Sequence, residues 1–103
     1  MKKTIAMLAL FSAVTLLSVA AQAATNKGEE IFQAKCAMCH AIKGKGGTMG
    51  PDLTKISAKM KEKDLRAKLE DPKKSNPSST MPSFKNLPKA DMTALLGYLK
   101  TLK

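Results

Sequence analysis

The sequence predicts an all-α domain of three to four short helices. Three observations carry that prediction. Apolar side chains recur at intervals of three and four in separate segments, as one face of a helix requires. Nothing in the 103 residues alternates convincingly as a strand does. The segments between are rich in Gly, Pro and Ser, which punctuate regular structure.

The chain opens with an export signal. Met1-Lys2-Lys3 is a basic start, residues 4–20 are almost wholly apolar or small, and Ala21-Gln22-Ala23 is a small-x-small cleavage site. Cleavage after Ala23 leaves a domain at residues 24–103 and a periplasmic location. No cysteine lies at the junction, so lipoprotein processing is unavailable. An uncleaved anchor is the alternative, because the apolar run approaches spanning length. Its Ser, Thr and Ala content makes it less greasy than a typical span, and no second candidate follows.

Gly28 to Met38 reads as the first helix, with Ile31, Phe32, Lys35 and Cys39 at helical intervals. Glu29 and Glu30 stand in its first turn, where the macrodipole favours acids. Residues 43–52, KGKGGTMGPD, form a turning loop. Gly46 stands where a phosphate loop needs a hydroxyl, so nucleotide binding is not expected. A second helix is expected from Ala58 to Glu70 behind Ser57 as N-cap, with Met60, Leu65 and Leu69 inward. Glu62 with Arg66 and Asp64 with Lys68 have the i,i+4 spacing of a solvated face. Residues 72–83, PKKSNPSSTMPS, are expected to be irregular, and a loop that long in a small domain implies a task. The last helix starts near Pro88 and carries Met92, Leu95, Leu96, Leu99 and Leu102 as a core stripe.

Both cysteines and the single histidine fall in one string, Cys36-Ala37-Met38-Cys39-His40. C-x-x-C-H is the attachment signal of c-type haem. Two thiols one helical turn apart each add to a vinyl group of one porphyrin, and the next residue's imidazole falls beneath the iron. The helices are thus expected to wrap around one covalently attached haem c. Structural zinc needs a fourth ligand that the chain lacks. A thioredoxin-like dithiol needs a strand before it, and a simple disulfide clip leaves His40 unexplained.

A second histidine cannot complete the iron, which leaves Met, Lys or water. Five methionines lie outside the signal: Met38, Met49, Met60, Met81 and Met92. Met38 sits between the cysteines and cannot reach the opposite face. Met60 and Met92 fit apolar stripes. Met81 precedes Pro82, which biases it to extended backbone that projects a side chain from a long loop. Met81 is therefore the expected sixth ligand, with Met49 its competitor. Soft, uncharged sulfur favours ferrous iron and raises the reduction potential. Two filled axial positions point to outer-sphere electron transfer rather than catalysis. The rival is a haem enzyme or small-ligand sensor with an open sixth position. It would need distal groups, yet there is one His, and Arg66 is the sole arginine.

The order Gly28-x-x-x-Phe32, Cys36-Ala37-Met38-Cys39-His40, Gly50-Pro51-Asp52-Leu53, Met81-Pro82-Ser83-Phe84 and a last helix with Leu95 to Leu99 resembles a small bacterial class I cytochrome c. The resemblance implies that fold, and a Pro51 carbonyl that accepts the His40 ring N–H. It also implies crossed first and last helices, with Gly28 and Phe32 meeting Leu95 and Tyr98. The motif lies near the start of the domain, unlike its place in the four-helix cytochromes c′. One departure stands out: the tryptophan that many relatives place near the haem propionates is missing.

Taking Lys2 and Lys3 with the signal leaves 16 basic against 8 acidic residues, a formal +8. Acidic redox proteins are the expected partners in transient contact, with Lys35, Lys43, Lys45 and Lys85 around the haem edge. Export argues against nucleic acid, and a monomer without a stable membrane anchor is expected.

The 80-residue remainder has only Phe32, Phe84 and Tyr98 as aromatics and no tryptophan. So short a chain usually needs a metal, disulfide or cofactor to hold together, and haem supplies the missing apolar body. The haem-free polypeptide is accordingly expected to be largely unfolded. Calorimetry of haem-free material checks this, and a cooperative melt would contradict it.

Overall fold

Helical spacing becomes helix at five places in the computed structural model, which describes residues 26–103. The export signal read at residues 1–23 lies outside the described residues. Helix α1 covers residues 26–35, α2 Ile56–Lys59, α3 Glu62–Glu70, α4 Pro72–Ser75 and α5 Lys89–Lys100. Among the described residues there is no strand, only an isolated antiparallel bridge between Ile42 and Lys45. The all-α expectation therefore holds.

Helix α1 ends three residues before the expected Met38. The Phe32 carbonyl accepts from both Cys36 N–H (2.8 Å) and Ala37 N–H (3.0 Å), which loosens the helix at its C-terminus. Residues 36–39 then turn tightly, Cys39 N–H reaching the Cys36 carbonyl at 3.1 Å.

The second expected helix is two. Met60 is extended (φ −135°, ψ 139°) and separates α2 from α3, whose N-cap is Lys61. Ser57 is not a cap: it lies inside α2, and its N–H donates to the Leu102 carbonyl at 2.8 Å. The break lets both pieces pack on α5. Nor are residues 72–83 wholly irregular. Pro72 is buried at the first position of α4, where its fixed φ suits a helix and its missing N–H is not needed. At α5, Pro88 is the N-cap rather than a helical residue.

The expected i,i+4 pairs are also replaced. Arg66 pairs with Glu70 at 3.8 Å, and Glu62 turns to Lys100 at 3.4 Å. Both pairs are exposed, so each contributes at most about 1 kcal/mol.

The core forms where α1 meets α5. Phe32, Leu95 and Leu96 are completely enclosed, with Ile31, Leu65, Leu69, Met92, Leu99 and Leu102 around them. Burying each large side chain stabilises the fold by roughly 1.5–3 kcal/mol. The rings of Phe32 and Tyr98 tilt at 54° with centroids 5.7 Å apart, a favourable aromatic geometry. Gly28 sits on α5 so closely that a Cβ would strike the Ala94 carbonyl oxygen and lie 2.6 Å from Tyr98 Cβ. Only a residue without a side chain allows that approach. Burial, and secondarily Glu29, push the Tyr98 hydroxyl pKa up. The α1–α5 crossing brings the end of α1, and with it the cysteines, against the core.

Candidate functional site

The turn after α1 delivers the two thiols to different surroundings. Cys36 is buried within the core cluster and Cys39 is half-buried, and both are free. Burial pushes the Cys36 thiol up to about 11, with Lys35 pulling weakly the other way. The neutral form is favoured there, and a thioether, having no proton to lose, suits the same place.

His40 follows, its N–H on the Cys36 carbonyl at 2.9 Å. The loop from 41 to 54 then folds back on the turn. Gly47 N–H donates to the Ala37 carbonyl (2.8 Å), Gly50 N–H to that of Cys39 (2.7 Å) and Leu53 N–H to that of Ala41 (2.9 Å). Ile42 and Lys45 exchange two backbone bonds around a tip with Lys43 at φ 51° and Gly44 at φ 78°, the signature of a type I′ turn. Lys43 N–H reaches the Thr54 hydroxyl at 2.8 Å, and Thr54 N–H reaches Asp52 Oδ1 at 2.8 Å. Hydrogen bonds from Thr54, its hydroxyl first and then its N–H, hold the exposed Asp52 carboxyl below its ordinary pKa.

This frame places the Pro51 carbonyl oxygen 2.8 Å from His40 Nδ1. A carbonyl only accepts, so Nδ1 must carry the ring proton and Nε2 keeps its lone pair for a metal. Gly50 lies against the same ring: a Cβ there would sit 2.7 Å from Nδ1 and 2.9 Å from Nε2. Two free thiols a turn apart and an imidazole with one nitrogen already engaged fit haem c. Among the described residues no group of three or more His, Cys, Asp or Glu converges.

Cys36, Cys39, His40 and Pro51 are thus neighbours. Met81 comes from a separate loop. It is part-buried against the core, with its N–H on Ser79 Oγ at 3.2 Å. It lines a cavity of about 570 Å³ that none of those four residues borders. Its loop is stitched to the end of α3, Phe84 N–H to the Leu69 carbonyl at 2.7 Å and the Ser83 hydroxyl to the Glu70 carbonyl. The competitor Met49 is 79% exposed and Met38 85%; Met92 is buried, and Met60 packs on the core. Sequence reasoning overlooked Thr54 and the bracing role of Asp52, although Asp52-Leu53-Thr54 has the form of an Asx turn.

A helical domain that ends its first helix in C-x-x-C-H and orients the imidazole through a loop carbonyl is a haem c protein by class. The cytochrome c family pattern matches residues 25–103, and the chain belongs to that family as a small class I monohaem cytochrome c, with covalently bound haem c and its iron. It is 36% identical over 77 residues to a cytochrome c-553-like protein of Synechocystis sp., a match covering 75% of this chain and 68% of that protein. It is also 30% identical over 87 residues to cytochrome c oxidase subunit 2 of Alkalihalophilus pseudofirmus. That match covers 76% of this chain, which spans only 25% of the length of the oxidase subunit. The family supports a haem-based electron carrier.

Gly50→Ala should force the imidazole or the loop to move, a strain of roughly 1–3 kcal/mol. The thermal midpoint of the holoprotein should fall by about 4–8 °C for each kcal/mol. An unchanged melt would mean that the ring has room.

Proposed function

We propose that the chain is exported, trimmed after Ala23, and acts in the periplasm as a soluble one-electron carrier, with His40 and Met81 as axial ligands and Cys36 and Cys39 as thioether attachments. The observation that carries this is the 2.8 Å contact between His40 Nδ1 and the Pro51 carbonyl, which readies Nε2 for iron. Bound haem c supplies the ferric/ferrous couple. The protein's part is to hold both axial side chains still, so that one electron moves with little rearrangement. Met81 has the soft donor, a following proline that disfavours helix and a loop tied to α3. The single His is committed to the proximal side and Arg66 is engaged by Glu70 on α3, which leaves no imidazole and no free guanidinium for distal catalysis. Electron transfer, not catalysis, is the activity this supports.

The partner is an acidic redox protein met in brief encounters. Lys35, Lys43, Lys45 and Lys85 are all exposed, and the I′ turn fixes Lys43 and Lys45 close to the haem motif. The carrier is taken to be a monomer without affinity for nucleic acid. No helix among the described residues is long and apolar enough to cross a membrane.

Oxidised holoprotein should show the far-red sulfur-to-iron charge-transfer band, and Met81→Ala should abolish it while the covalent haem mass persists. A wild-type protein without the band would favour an open sixth position. Electron exchange with an acidic redox protein should slow at least tenfold from low to high salt, as steered encounters do; a rate indifferent to salt would remove the lysines from docking.

A further inference from the structure

We propose that Met38 and Met49 form a paired modification site, oxidised to sulfoxides by peroxide or hypohalous oxidants, and that this oxidation weakens docking of the redox partner; the effect on docking rests on the lysine surface proposed above. The methionines of the described residues divide sharply. Met92 is 4% exposed and Met60 and Met81 pack on the core, whereas Met38 and Met49 are 85% and 79% exposed. Among the described residues no other large apolar side chain is exposed. Packing gives neither position a reason to be apolar, and neither serves the iron. Met38 stands between the two cysteines. Met49 precedes Gly50, which lies against the His40 ring on the imidazole's own side.

The backbone brings the two to one seam. Gly47 N–H donates to the Ala37 carbonyl at 2.8 Å and Gly50 N–H to that of Cys39 at 2.7 Å, and Met38 and Met49 both lie between these two ties. A Cβ on Gly47 would strike the Met38 carbonyl oxygen, so the segments lie flat on each other. Cys36 turns into the core, and Met38, two positions further round the turn, turns out.

The chemistry balances without the iron. The thioether sulfur attacks one peroxide oxygen, an S–O bond forms as the O–O bond breaks, and the other oxygen leaves as water. Sulfur gives up two electrons and peroxide takes them. Accessible sulfur reacts first, and a reductase reverses the step. Lys35, Lys43 and Lys45 are exposed on the same turn and loop, and their charge concentrates anionic oxidants such as hypochlorite. Their charge also selects the occupant of this surface, an acidic redox protein, whose contact has Met38 and Met49 as its apolar part. A sulfoxide puts a polar, chiral group in that contact.

The test treats ferric holoprotein with hydrogen peroxide at a level that leaves the haem Soret band intact, then maps sulfoxides by peptide mass. Met38 and Met49 should oxidise about tenfold faster than Met60 and Met92. Electron exchange with an acidic redox protein at low salt should then slow several-fold, and methionine sulfoxide reductase should restore it. The double variant Met38→Leu, Met49→Leu should keep its rate through the same treatment. Sulfoxide spread evenly over the methionines overturns the site. Sulfoxide confined to the pair beside an unchanged exchange rate overturns its effect on docking, as does a double variant that slows as far as wild type. Loss of the far-red band in step with the slowing assigns the slowing to Met81 and overturns that effect too. Exchange indifferent to salt before any treatment sinks the lysine docking surface itself, while the peptide map still decides the modification site.

Discussion

The hydrogen bond between His40 and the Pro51 carbonyl is the constraint from which the rest of the site follows. An imidazole has two similar nitrogens, and only a partner on one decides which is free for a metal. Pro51 supplies that partner, but a loop carbonyl is a reliable acceptor only if its loop is held. Gly47, Gly50 and Leu53 each donate a backbone N–H to the turn at residues 37–41, and Thr54 links Lys43 to Asp52. Each bond is worth only about 1 kcal/mol net. Together they leave the Pro51 oxygen one place to be. Gly50 completes the arrangement by leaving the volume beside the ring empty.

That site is not separable from the core. Helix α1 crosses α5 through the contact of Gly28 with Ala94 and Tyr98, and ends where the thiols begin. Cys36 belongs to both, counted among the buried core residues and first in the attachment motif. A displacement of α1 on α5 would therefore move the haem attachment as well. Coupling of this kind suits a domain with only three aromatic residues at 24–103, because the cofactor then serves as packing and as chemistry at once.

What could be read from the sequence was whatever depends on local spacing. C-x-x-C-H is legible because bond lengths dictate it, and the α5 stripe because its apolar residues repeat over three turns. The break at Met60 was not legible. Neither Met60 nor Lys61 is a helix breaker, and the extended backbone there serves contacts with α5, distant in sequence. Pro72 was read as the beginning of an irregular stretch, although its fixed φ also suits the first position of a helix. Glu62 was assigned to its helical neighbour Arg66 and instead meets Lys100, 38 residues away; a contact of that separation exists only after folding. The proximal half of the site, local to residues 36–54, was thus more readable than the side that holds Met81, which depends on ties to α3.

Charge connects the iron to the surface. On the proposed ligation, imidazole and thioether are both neutral, so reduction removes a full positive charge from the haem iron with no ligand to compensate it. The formal +8 of the domain favours that reduced state at a distance, weakened by salt and by water. On the proposed function, an acidic partner that meets Lys43 and Lys45 offsets part of this field and shifts the equilibrium back toward ferric iron. Linkage makes the effect reciprocal: a partner that favours the ferric state binds that state more tightly by the same factor. On that reading the lysines that recruit a partner also tune when the electron leaves, and their distance from the iron, fixed by the turn that carries them, sets how strongly.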